Sequence, residues 1–153
     1  MPPIARPLAD VHLDDCQKLA ERARNHTNVL FVVDTLEFLH RGGRIGGAQK
    51  LIGTALKFKP ILELRDGRIE SIEKVRTKKK AYNRLVEILV DRIGDKPNVH
   101  MATLNANAES DANYLLKKAA DQIKPVETIT SIVSPVVGTH AGPGTVGIAY
   151  MAG

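Results

Sequence analysis

Asp66-Gly67 separates two extended stretches, KPILEL and RIESIEKV. Asp-Gly between alternating or apolar runs is the strongest local signal for a two-residue hairpin, because both central positions of a type I′ turn need positive φ. The chain therefore contains at least one tight antiparallel pair, and the other elements must be arranged around it. VLFVV at residues 29–33 is short, β-branched and apolar throughout, as a buried strand would be. Upstream, Leu13, Cys16, Leu19, Ala20 and Ala23 recur at helical spacing, and Asp14 and Asp15 suit the first turn, which predicts a helix over residues 14–25. Asp34 with Glu37 resembles a capping box for a short helix, TLEFLHR, that Gly42 would stop. A further helix is expected over residues 47–57, with Leu51, Ile52, Ala55 and Leu56 on one face and Pro60 beyond it.

Thr77 is placed to cap a helix whose stripe is Ala81, Tyr82, Leu85, Val86, Leu89 and Ile93, ending before Gly94. Strands are expected at residues 99–104, 126–133 and 145–150, with a helix at 110–123 between the first two. One tight hairpin among longer crossovers implies a mixed sheet covered by helices.

At 153 residues, with 43% hydrophobic and 25% charged, the chain is in the range of one globular domain with a real core. Cys16 is the only cysteine, so no disulfide can form within the chain, which fits a reducing compartment. The longest apolar run, residues 29–33, has five residues, far short of the roughly 18 that span a bilayer. MPPIARPLAD has no signal-like apolar stretch, so the expectation is a cytoplasmic protein without a membrane span.

Three segments depart from economical structure, and such departures mark candidate sites. The first is Gly42-Gly43-Arg44-Ile45-Gly46-Gly47. It either presents backbone amides and the Arg44 charge to an anion or merely allows a sharp corner between helices. The second holds six cations, Lys74, Arg76, Lys78, Lys79, Lys80 and Arg84, with no acid among them, against a net charge of +5 for the whole chain. Three of its lysines sit in a first helical turn, against the dipole, at roughly 0.3–1 kcal/mol each when exposed. Such a patch reads either as a surface for a phosphate or acidic partner or as a solvated basic face. Nucleic acid is disfavoured, since only 4% of residues are aromatic and Trp is absent.

The third is VGTHAGPGTVG at residues 137–147. Gly142, Gly144 and Gly147 have the spacing of a dinucleotide fingerprint, but that mechanism needs a following helix and an acid about 20 residues on. Too little chain follows for either. The expectation is instead a glycine-rich loop, built on Gly138, Gly142 and Gly144, that exposes Thr139 and His140 between two strands for hydrogen bonds to a carboxylate or phosphate. No metal-ligand spacing relates the five histidines, and neither a nucleophile elbow nor a Walker A loop is present. No metal site, no catalytic residue and no cofactor are assigned.

Taken in order, VDTLEFLHRGGRIGG, LKFKPILELRDGRIESIEKVRTKKKA and SPVVGTHAGPGTVGIAY resemble the C-terminal half of the DegV family. The resemblance implies an α/β two-layer sandwich with a mixed, about six-stranded sheet and helices on one face. It implies a domain over residues 28–153, a connecting helix within residues 1–27 after the proline-rich start, and an N-terminal lobe absent from this chain. It also implies a non-enzymatic carrier that holds one long-chain fatty acid and, like the FakB subunit, presents it to a fatty acid kinase. Within that likeness His140 and Arg44 match residues at the carboxylate, and Arg76, Lys78 and Lys79 match a kinase-docking segment. The acyl tail supplies an upper bound of roughly 12 kcal/mol at ~0.8 kcal/mol per methylene, so headgroup contacts chiefly orient the carboxylate. Two rival readings stay open: a lobe that forms a homodimer over its lipid face as a scaffold, and an anion- or nucleic-acid-binding module using the basic segment.

Overall fold

The computed structural model describes residues 12–53 and 58–153. α1 (Leu13–His26) leads into β1 (Thr27–Val32), followed by the short α2 (Glu37–Arg41). The hairpin β2 (Lys59–Arg65) and β3 (Arg68–Val75) comes next, then α3 (Lys78–Ile93), β4 (His100–Asn105) and α4 (Glu109–Ile123). β5 (Glu127–Ile132), α5 (Pro135–Ala141) and β6 (Val146–Met151) complete the chain. The six strands form one mixed sheet in the order β3-β2-β1-β6-β4-β5, an α/β architecture as the sequence implies.

Asp66 and Gly67 have φ of 49° and 73°, the two positive values that the hairpin turn needs, and Arg65 faces Arg68 across it. All neighbouring strands are antiparallel except β4 and β5. β1, β3, β4 and β5 consequently run one way, and β2 and β6 the other. Four carboxyl ends gather at a single edge of the sheet, where α2, α3, α4 and α5 follow them.

The two long helices seal one face. Leu30, Val32, Ile61, Met101, Val146 and Ile148 point into them and meet Leu85 and Leu89 of α3 and Leu115 of α4. These helix positions repeat every three or four residues, which puts them on one side of each cylinder. α3 begins at Thr77, whose hydroxyl accepts the Lys80 amide at 3.3 Å, and ends against Gly94.

The opposite face is only partly covered. Phe31 and Leu62 pack under Leu36, Leu39, Ile45 and Ala48, from α2 and the chain after it. One row further from the carboxyl ends, Leu64, Val29, Ala149, Ala102 and Ile129 lie side by side across β2, β1, β6, β4 and β5. None of the five belongs to either core cluster. Leu64 is 50% and Ile129 52% exposed, so the row is an open apolar band across the sheet.

Two local expectations are corrected. Asp34 does not cap α2, because its carboxylate is taken by lysines, and the α2 amide at Glu37 is met at 3.2 Å by the Thr35 hydroxyl. The helix expected over residues 47–57 is a 3-10 run, Gly46–Leu51, that ends at an extended Ile52. Ala55 and Leu56 lie outside the described residues. Two glycines at its start give a weak nucleus, so the tighter turn prevails.

Buried polar groups are mostly satisfied. Glu63 is bound by Arg92 at 2.6 Å and by Arg65, and Asn105 accepts the Ala108 amide at 3.1 Å while donating to Ser131 O at 3.3 Å. Thr103 is one of two exceptions among the described residues, the other being a ring nitrogen of His140: its hydroxyl is buried on the sealed face with no hydrogen-bond partner. Thr103→Val, which keeps the shape and removes that group, is expected to raise stability by about 1 kcal/mol, read as a higher urea midpoint at unchanged slope.

Candidate functional site at the carboxyl ends of the strands

Open α/β sheets place their binding sites beyond the carboxyl ends of their strands, and the glycine-rich segments converge there. The segment expected to be a loop is a helix. Ser134 accepts the Val137 amide at 3.3 Å, Pro135 occupies the first helical position, and Gly142, at φ 81°, ends α5. Ser-Pro at the start and Gly at the end were readable as helix signals, but the glycine content argued for a loop.

Within α5 the Thr139 hydroxyl donates to Pro135 O at 2.9 Å, so it serves its own helix. His140 turns toward α2. Its Nδ1 is buried, without a partner, against Gly42, where a Cβ would collide with the ring. Arg44 reaches back to the same residue, donating from Nη1 to Gly42 O at 3.0 Å. His140 and Arg44, far apart in sequence, thus meet at one glycine, and Gly42 is glycine because the ring occupies the space of a side chain.

The other glycines are structural by position. Gly142 abuts the Phe38 ring, Gly144 the Asp34 carboxylate, Gly46 the Ile69 backbone, and Gly138 lies inside α5 near Val133. Nothing stands close to Gly43.

Beside this pair is an ion network that sequence reading missed. Asp34, just past β1, receives Lys59 at 2.9 Å and Lys78 at 3.0 Å. Lys78 also reaches Asp111 at 3.4 Å, and Tyr82 donates to that carboxylate at 3.1 Å. β1, β2, α3 and α4 are tied at one point. Burial works against the charge on Asp34, but the two lysines outweigh it and hold its pKa below the ordinary value. Burial likewise opposes the Lys78 charge, yet Asp34 and Asp111 leave its pKa raised. Burial and the Asp111 charge push the Tyr82 phenol up.

The basic segment is thereby divided. Lys78 is spent on the network, whereas Arg76 and Lys79 are exposed and have no ion-pair partner among the described residues. The charge of Asp34 at a strand end, opposite a lysine-rich first turn, was the only sequence signal for this pairing.

Two clefts flank the site. One of about 420 Å³ is lined by Leu36, His40, Leu51, Ile52, Phe58 and Pro60. The other, about 700 Å³ and more polar, lies among Asp34, Lys78, Asn107, Asp111 and Gly144. Neither is lined by His140 or Arg44. Among the described residues no cluster of His, Cys, Asp or Glu is arranged to hold a metal ion, and no helix is long and apolar enough to cross a membrane.

Fold and site together define a two-layer α/β lobe with one open apolar face and a His–Arg pair at its strand ends. A family model described as "Uncharacterised protein, DegV family" matches residues 8–153, and the chain belongs to the DegV family. A DegV domain-containing protein of Streptomyces coelicolor is 44% identical over 137 residues, covering 89% of this chain and 48% of that protein. A Thermus thermophilus structure, titled as fatty acid binding of a DegV family protein, superposes with a TM-score of 0.86 at 33% identity, over 94% of this chain and 51% of that one. DegV of Bacillus subtilis, titled a fatty acid binding protein, gives 0.76 at 34% identity, over 93% and 50%. The chain spans about half the length of the relatives it matches.

The geometry makes two predictions. Gly42→Ala should cost about 1–3 kcal/mol, the range of overpacking, and most of that cost should vanish in a His140→Ala background, a double-mutant cycle followed by urea unfolding. For the ion network the sign follows from the shifts. A lowered Asp34 contributes stability above its ordinary 3.8 that disappears as pH falls through the folded value, and a raised Lys78 contributes below 10.5 and loses it as pH rises through its folded value. Asp34→Asn should therefore cost about 1 kcal/mol, a figure discounted for partial exposure, nearly constant between about pH 5 and 9 and shrinking in acid.

Proposed function

We propose that this chain is the acyl-holding lobe of a fatty acid carrier, with the tail lying on the open face of its sheet. The supporting observation is the uncovered row Leu64, Val29, Ala149, Ala102 and Ile129. Five strands at about 4.8 Å spacing make the row roughly 19 Å long. Three backbone bonds extend about 3.6 Å, so an all-trans carbon chain gains ~1.2 Å per bond and needs roughly 16 bonds to cover that length. The band fits a long-chain fatty acid in both chemistry and reach. Gly147 lies one row nearer the carboxyl ends, between Phe31 and Leu104, on the side of the row toward the strand ends where His140 sits.

His140 and Arg44 would receive the carboxylate. Because Nδ1 is sealed against Gly42, the ring meets the headgroup with Nε2, and Arg44 supplies charge. Thr139, committed to Pro135 O, contributes through the α5 backbone rather than as a primary donor. Residues 28–153 act as the C-terminal domain, and residues 1–27 link it to a preceding lobe that completes the headgroup site. Arg76 and Lys79 offer the surface on which a fatty acid kinase would dock in the cytoplasm. The carrier performs no chemistry and needs no cofactor beyond the lipid. Lys78 is withdrawn into the ion network, which leaves Lys74, Arg76, Lys79 and Lys80 as the exposed cations of the segment.

Displacement of a fluorescent fatty acid tests the reading. Ala149→Trp should fill the middle of the row and weaken binding at least tenfold without lowering stability. His140→Ala should weaken it by roughly tenfold, the loss of one charge-assisted hydrogen bond. Unchanged affinity in Ala149→Trp would place the tail elsewhere.

A further inference from the structure

The two edges of the sheet are guarded very differently. β3, at one edge, carries Arg68, Glu70, Glu73 and Lys74, the charges that discourage pairing with a foreign strand. β5, at the other, reads ETITSI, and no residue from 128 to 137 is charged. Its backbone pairs with β4 on one side only. Of the eleven large hydrophobic residues exposed among those described, five fall within residues 126–137: Val126, Ile129, Ile132, Val136 and Val137. Ile132 is 75% and Val136 72% exposed.

We infer that β5 is a docking edge for a second copy of this chain, the two β5 strands pairing antiparallel about a two-fold axis perpendicular to the sheet. The segment is self-complementary. A two-fold near Thr130 sets Thr130 opposite its counterpart and Thr128 opposite Ile132, and threonine and β-branched pairs of this kind are favourable across strands. The same two-fold sets Val126, before one β5, opposite Ser134, after the other, with the exposed Val136 and Val137 just beyond in α5. Charge permits it. The exposed cations of Arg76 and Lys79 follow β3, at the far edge of the sheet, so copies with a net charge of +5 meet where the only charged residue of each β5 is Glu127, which lies 3.1 Å from the His100 ring. This closed interface is distinct from the lipid row, of which it touches only the Ile129 end.

Sedimentation velocity across a concentration series tests it. The unaltered chain should form a discrete dimer, and Ile132→Lys and Thr130→Pro should each shift it to monomer, while Arg76→Glu at the opposite edge leaves the dimer intact. Because Ile132 is an exposed side chain, Ile132→Lys should keep the native circular dichroism and melting profile. Hydrogen exchange of residues 128–132 should slow as the dimer forms. A monomer at every concentration, open-ended oligomers, or a dimer that survives both β5 substitutions would overturn the proposal.

Discussion

A single layer of long helices can seal only one face of a six-stranded sheet, and the rest of this molecule follows from that imbalance. α3 and α4 cover Leu30, Val32, Met101 and Ile148, while α2 and the 3-10 run reach only as far as Phe31 and Leu62. What lies beyond is apolar and open. A row of aliphatic side chains left to water is unfavourable by about 25 cal/mol for each Å². A ligand or partner that covers it gains that energy, which is why an incompletely covered sheet reads as a receptor rather than a defect.

Strand direction supplies the second half of the design. With β1, β3, β4 and β5 ending at the same edge, groups from distant parts of the chain are delivered to one place. Two devices keep them there. Glycines let α5 approach α2 and the end of β1 at backbone distance, so that the His140 ring rests on Gly42 and Gly144 rests on Asp34. The Asp34 carboxylate then clamps β2 and α3 through Lys59 and Lys78. The contact of His140 and Arg44 at Gly42 therefore sits on a part of the molecule fixed by both packing and charge.

Some of this was legible in the sequence and some was not, for physical reasons. The hairpin at Asp66-Gly67, the α3 stripe and the Thr77 cap are local: each depends on residues within a turn or two, and each is found in the fold as read. α5 was misread because its glycines outweighed the Ser-Pro start, and the segment after Gly46 because its apolar spacing concealed a weak nucleus. The row across the sheet takes one residue from each of five strands, so only the register assembles it. The meeting of His140 and Arg44 at Gly42 is likewise tertiary; motif likeness singled out the two residues, but no spacing in the chain predicts their shared contact. Lys78 carried the opposite lesson, since a cation that disfavours its own helix start is explained by two carboxylates brought from elsewhere.

The open face as the acyl site is the central claim, and the most direct measurement is of contacts between a carbon-13-labelled long-chain fatty acid and the methyl groups of the chain by nuclear Overhauser effects. The account predicts contacts from the methylene chain to Val29, Ala102 and Ala149, with the carboxyl end close to the His140 ring. Contacts confined to side chains of α3 and α4, or none at saturating lipid, would contradict it.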